Sequence, residues 1–140
     1  MSLTFHGLIF DVDAEPSALG GHLLRHPSGP QWPIHLSAKP RGERPFEQAV
    51  KVERALAAGE LTDAKVVERT HLTLAGAATW VFAHSGLSAD GVQTHQWLAL
   101  LDAGEHTVIL RVAGSLEERD AVRGRFEQLL IEIKSADDDG

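Results

Sequence analysis

The 140-residue chain has no cysteine, one methionine, and no apolar run near the roughly 20 residues needed to cross a bilayer as a helix. Disulfides, thiolate metal sites and cysteine nucleophiles are therefore excluded, and a reducing compartment is compatible with the composition. The start of the chain lacks the basic opening and apolar core of a secretory signal. A cytoplasmic protein without membrane insertion is the expectation. Cations are in the minority, 13 Lys and Arg against 20 Asp and Glu, for a formal net charge of −7. Nucleic acid is not an expected partner, because its binders carry a basic stripe. No serine sits in a G-x-S-x-G elbow, and no phosphate loop or dinucleotide fingerprint occurs; Gly20-Gly21 lacks the required spacing and following helix. No catalytic residue, metal site or cofactor is assigned, and an enzyme is not expected.

The composition is that of a folded domain, with 43% hydrophobic and 24% charged residues, and 140 residues suffice for one core. The chain is organised around 66–113. Four β-branched, aromatic and aliphatic runs are separated there by turn residues at Ala75-Gly76-Ala77, Ser88-Ala89-Asp90-Gly91 and Asp102-Ala103-Gly104. Such punctuation predicts an antiparallel meander. Before it, Thr4 to Val12 reads as a strand ended by Asp13-Ala14-Glu15-Pro16, and His22 to His26 and Ile34 to Ala38 read as shorter strands. A helix is expected from Pro45, with Phe46, Ala49, Val50, Leu56 and Ala57 on its apolar face. Glu47 and Lys51 form an outward i,i+4 pair, and Gly59 serves as a left-handed terminator. A second helix runs from Leu116 to about Ile133. Ser115 and Glu118 form its capping box, and Val122, Phe126, Leu129, Leu130 and Ile133 its buried stripe. The fold class is α+β, a meander sheet with two amphipathic helices in one domain. Residues 1–43 hold strands and a Gly/Pro-rich loop, 44–134 the helix–meander–helix core, and 135–140 an acidic, solvated tail.

Period-two alternation sorts the meander into faces once a register is chosen. Centring the middle hairpin on Ala89-Asp90 sets His84 opposite His95 and Phe82 opposite Trp97. Centring the next on Ala103-Gly104 sets Trp97 opposite Leu110. One face then carries Leu72, Leu74, Val81, Ala83, Leu98, Leu100 and Ile109, suited to lie beneath the helices. The other carries His71, Trp80, Phe82, His84, His95, Trp97, Val108 and Leu110. Rings with a polar handle are enriched where surfaces meet partners, which makes this face the candidate binding surface. The competing reading is a second core layer covered by the chain itself.

Two motifs suggest chemistry. Leu8-Ile9-Phe10-Asp11-Val12-Asp13 resembles the nucleophile strand of haloacid-dehalogenase-type phosphatases, but Ala14-Glu15 replaces the expected Gly-Thr and a meander follows instead of alternating βα units. Of eight histidines, His22 and His26 are four apart, and His84 and His95 are candidate cross-strand neighbours that His71 or His106 could join. Solvated or core imidazoles account for them better than a zinc site, whose four ligands and second-shell acceptors the sequence does not fix.

The order of elements resembles the PsbP-like superfamily, which includes DcrB and LpqN proteins and the Eag-type chaperones of type VI secretion effectors. The resemblance lies in Phe46-Glu47-Gln48-Ala49-Val50, Val66-Val67-Glu68-Arg69 and Leu74-Ala75-Gly76-Ala77-Ala78. It continues in Gln96-Trp97-Leu98-Ala99-Leu100 and Arg125-Phe126-Glu127-Gln128-Leu129-Leu130. It covers the C-terminal two-thirds, while Ser17–Pro33 departs in its Gly, Pro and His content. The resemblance implies a non-catalytic adaptor or chaperone-like protein that binds a protein partner, or a second copy, through Trp80, Phe82, His84, His95, Trp97 and Leu110. Alternatives are a homo-oligomeric structural subunit and a metal-dependent hydrolase using His84, His95 and Asp11.

Overall fold

Left-handed residues cut the N-terminal apolar run in two. In the computed structural model, which describes residues 2–18, 20–26 and 29–136 (the side chains of 26 and 29–32 excepted), His6 and Gly7 take φ 49° and 82°. They join β1 (Leu3–Phe5) to β2 (Leu8–Phe10) as an antiparallel hairpin. The single strand expected from Thr4 to Val12 is thus replaced by a tight turn, since paired positive φ angles match the twist of flanking strands. Asp13-Ala14-Glu15-Pro16, expected to end pairing, instead forms β3 (Asp13–Pro16), exposed throughout. It is the outermost strand of its sheet, the position where a proline and solvated carboxylates are tolerated. β4 (His22–His26) forms where expected, and β5 (Gly29–Pro40) extends Ile34–Ala38 in both directions.

The first helix, α1 (Phe46–Ala58), follows Pro45, which caps it in extended conformation, ψ 149°. Ala49, Val50 and Ala57 are buried, whereas Leu56, expected on the same face, is 55% exposed. Gly59 stays right-handed at φ −65°. The left-handed stop is not needed, because the amides of Glu60 and Leu61 donate to Ala57 and Ala58 carbonyls at 3.2 and 3.1 Å and the helix unwinds through tighter turns.

The meander follows as β6 (Thr62–Leu74), β7 (Ala77–Leu87), β8 (Gln93–Ala103) and β9 (His106–Ser115). A short 3-10 turn, Leu116–Glu118, leads into α2 (Arg119–Ile131). The Glu118 carboxylate accepts from the Ser115 amide at 3.1 Å and from its hydroxyl at 3.0 Å. β10 (Lys134–Ser135) pairs with β2. The acidic tail at 137–140 and Pro27 lie outside the described residues. None of the described helices is long and apolar enough to cross a membrane.

Seven strands form one antiparallel sheet in the order β3-β4-β5-β9-β8-β7-β6, and β1-β2-β10 form a small second sheet. The N-terminal third therefore completes the meander sheet rather than standing beside it. On one face, the small sheet and α2 bury Leu8, Phe10, Val122, Phe126 and Leu130 against Leu36, Ala99, Leu101, Val108 and Leu110. The stripe expected on α2 is buried in full. On the other face, α1 places Val50 and Ala57 against Phe82, Leu98, Leu100 and Ile109.

The face assignment expected from sequence is corrected by the β7–β8 connection. Ser88 donates its amide to the Val92 carbonyl at 2.9 Å, and Gly91, at φ 77°, donates to Ser88 at 2.9 Å. Three residues, Ala89-Asp90-Gly91, therefore make the turn, the arrangement in which a left-handed residue closes an odd-length loop. The odd count moves the register by one. Ala83 faces Trp97, Ser85 faces His95, and Phe82 faces Leu98. The β8–β9 hairpin turns at Gly104-Glu105, with Trp97 opposite Val112 and Leu100 opposite Ile109. That shift from the expected pairing is even and leaves parity intact.

Two glycines test these assignments. Gly91→Ala forces a Cβ into the left-handed region and is expected to cost about 1–2 kcal/mol. Gly124 lies inside α2, where an added Cβ would meet nothing within 4 Å, and Gly124→Ala is expected to gain about 0.5–1 kcal/mol. Urea unfolding of both variants checks the opposite signs.

Candidate functional site

The register slip divides the expected aromatic face. His71, Trp80, Phe82 and His84 share the α1 side with Leu98, Leu100 and Ile109, while His95, Trp97, Val108 and Leu110 share the α2 side with Leu72, Leu74, Val81 and Ala83. Trp80 and Trp97 thus point to opposite sides of the sheet. Phe82, His84, His95, Trp97 and Leu110 are all buried, from 8% exposure at His95 to 0% at Leu110. Of the six residues expected to form one docking face, Trp80 alone reaches the surface, half-buried, with exposed His71 beside it.

The α1 side keeps an ordered ladder of rings. His71 stacks on Trp80 at 4.5 Å between centroids, Trp80 on Phe82 at 5.8 Å, and Phe82 on His84 at 6.3 Å, with interplanar angles of 12°, 10° and 10°. Alternation along β7 puts Trp80, Phe82 and His84 on one face, and pairing of His71 with Trp80 adds the fourth ring from β6. The inner end is closed. His84 Nδ1 lies 3.1 Å from Gln96 Oε1, so the amide oxygen accepts and the imidazole donates. Gln96 donates on to Glu60 at 3.5 Å, and Glu60 is also held by Arg111. Burial lowers the His84 pKa, opposed by the Gln96 hydrogen bond and assisted by nearby Arg54.

The outer end is open. α1 covers β8 and the inner half of β7, leaving a cleft of about 340 Å³ between the helix and the β6–β7 corner. Trp80 and Phe82 form its floor, Val50 its apolar wall, and Glu47, Lys51, Arg54 and Arg69 its rim. Arg54 lies over the Phe82 ring at 5.6 Å, and Arg69 is the cross-strand neighbour of Phe82. The outward Glu47–Lys51 pair expected from sequence is not among the ion pairs of the described residues, and both side chains border this cleft. Sequence reading misses Arg54 and Arg69. Their signal is present all the same, since Lys51 and Arg54 share a helix face with Val50, and Arg69 alternates onto the face of His71.

On the opposite face, Trp97 lines a smaller cavity of about 250 Å³ under α2 with Phe126 and Leu130, and its indole N–H has no acceptor among the described residues. His95 stacks on Trp97 at 5.9 Å. His84 and His95 are separated by the sheet, and Asp11 is exposed on the link between β2 and β3. The three residues of the hydrolase alternative are therefore not brought together. His22 and His26 lie on strand β4, not on a helix. Among the described residues no three His, Asp or Glu side chains converge as metal ligands.

No family model and no curated protein matches the sequence. Solved structures do match. CyanoP, the cyanobacterial PsbP of Synechocystis sp. PCC 6803, superposes with a TM-score of 0.64 over 96% of this chain and 90% of its own, at 10% identity. LpqN of Mycobacterium tuberculosis, involved in cell envelope biogenesis, gives 0.62 over 91% and 82% at 14% identity. PA94 of Pseudomonas aeruginosa, a protein of unknown function, gives 0.59 over 86% and 94% at 12% identity. The chain has the α+β PsbP-like fold, shared with LpqN.

Three imidazoles, buried His84 and His95 and the exposed His6 of the β1–β2 turn, predict a pH dependence. His84, His95 and His6 all have pKa values lowered first by burial, with Arg119 adding at His95 and His106 at His6. The unfolded chain therefore binds more protons as pH falls through the ordinary value of 6.5. Stability present above that pH is lost on acidification until the folded-state values are passed. His84→Gln is expected to flatten the change in urea midpoint between about pH 7.5 and about pH 5.5. Equal slopes in both proteins would remove His84 as a source of the pH dependence.

Proposed function

We propose that this protein is a non-catalytic adaptor that seats an apolar side chain of a protein partner in the cleft between α1 and the β6–β7 corner. The observation that carries the reading is Trp80, stacked on both faces yet half-exposed at the floor of an open, apolar-walled cleft. An indole held in one orientation by His71 and Phe82 offers contact area with little rotamer entropy left to lose, as residues dominating interfaces do. The cleft, about 340 Å³, is at the small end of binding-pocket sizes and suits one or two side chains. This narrows the broad docking face implied by the PsbP-like resemblance to one corner of the sheet.

A second reading, self-association, is favoured by β6. This 13-residue strand is the outer edge of the large sheet, pairs only with β7 among the described residues, and exposes Val66 at 42% and Val67 at 55%. Long unprotected edges are templates for another strand, although the bulges between Thr62 and Lys65 and between Val66 and Glu68 disfavour a straight pairing. Sedimentation equilibrium finding only monomer removes this reading.

Co-expression with the products of neighbouring genes, followed by co-purification, tests the first. Trp80→Ala is expected to stay folded and to weaken capture at least about tenfold, as hot-spot truncation does. A folded Trp80→Ala protein with undiminished capture would contradict it.

A further inference from the structure

The rim of the cleft carries a charge that the rest of the molecule does not explain. Six cations close ion pairs among the described residues: Arg25, Lys39, Arg41, Arg111, Arg119 and Arg123. Lys51, Arg54 and Arg69 are not among them, and all three border the one cleft, against the single carboxylate of Glu47. Arg44, Lys65, Arg125 and Lys134 also make no ion pair among the described residues, but they are scattered over separate elements. In a chain of net charge −7 with carboxylates in excess, three cations left together over an aromatic floor are a local inversion of sign. Arg54, half-buried and fixed over Phe82, is already partly desolvated, which strengthens its interaction with an incoming anion.

We infer that the occupant of the cleft is anionic: a protein segment in which an apolar side chain is flanked by carboxylate. This rests on the adaptor reading and adds the charge of the partner to it. The apolar side chain lies on Trp80 against Val50, and the carboxylate is received by Arg54 and Arg69, whose guanidinium groups suit two-pronged contact with carboxylate oxygens. Overall negative charge repels an acidic partner at a distance, yet the cationic rim dominates within the roughly 8 Å over which charges act at physiological salt. Capture is consequently salt-sensitive.

The test uses the full chain and two fluorescent probes of one ring system: anilinonaphthalene sulfonate, which is anionic, and phenylnaphthylamine, which is neutral. The sulfonate is expected to bind more tightly, and the double variant Arg54→Gln/Arg69→Gln to weaken it roughly tenfold or more while leaving the neutral probe unchanged. Arg44→Gln/Arg125→Gln, away from the cleft, leaves both probes unchanged. A capped Glu-Phe-Glu tripeptide displaces the sulfonate at lower concentration than its Gln-Phe-Gln counterpart. Equal affinity of the two probes, equal displacement by the two peptides, or an unchanged double variant overturns the inference. Trp80→Ala separates the two proposals. If it weakens both probes while the arginine variants change neither, the cleft reading stands and the anionic occupant falls. If none of the variants matters, both fall.

Discussion

The turn at Ala89-Asp90-Gly91 constrains nearly everything of functional interest in this molecule. Because side chains alternate with a period of two, a loop of odd rather than even length decides which members of β8 and β9 share a face with Trp80. Gly91 closes that loop at φ 77°. With this register Leu98, Leu100 and Ile109 lie behind the ring ladder and under α1, while Trp97 and Leu110 fall beneath α2 and the small sheet. An even loop would have gathered both tryptophans on one side and left an aliphatic face on the other.

The consequence is a sheet with two dissimilar, mostly sealed faces rather than one glued and one free. The α2 face holds the larger core, completed by strands from the N-terminal third. The α1 face is covered by a single helix whose buried surface is small: Ala49, Val50 and Ala57. A helix so lightly anchored covers β8 and part of β7, with the Lys39–Glu53 ion pair at 3.1 Å tying it to β5. The helix leaves the outer corner uncovered on one side and the His35–Lys39 stretch of β5 on the other, and the chemistry at the outer corner is unlike that of either core. Parallel rings supply a rigid apolar floor, and guanidinium and ammonium groups outside every described ion pair stand at its border. The inner end of the ladder is buried and held by His84, Gln96, Glu60 and Arg111.

The helices and the meander are legible in the sequence because their signals are redundant. Val122, Phe126, Leu129, Leu130 and Ile133 each repeat the same helical phase, so no single residue carries the reading, and the Ser115–Glu118 cap marks the start independently. The faces are not legible, because parity rests on one count. Ser-Ala-Asp-Gly serves a two-residue or a three-residue connection equally well, and only the Ser88–Val92 hydrogen bond separates them. The N-terminal hairpin is hidden for a similar reason: the turn at His6-Gly7 interrupts a run that is apolar on both sides. The cleft cannot be read before the register, since Arg54 and Arg69 belong to different elements and are brought to one cleft only by their separate relations to Phe82. The likeness in fold to CyanoP and LpqN says nothing of which corner of the sheet stays open.

The pairing of β7 with β8 is the point at which this picture is most directly exposed. Cross-strand proton–proton nuclear Overhauser contacts in isotopically labelled protein read that pairing without reference to function. Backbone contacts are predicted to join Ala83 to Trp97 and Phe82 to Leu98. Contacts joining Phe82 to Trp97 and His84 to His95 would contradict it, returning both indoles to one face and dissolving the cleft chemistry built on their separation.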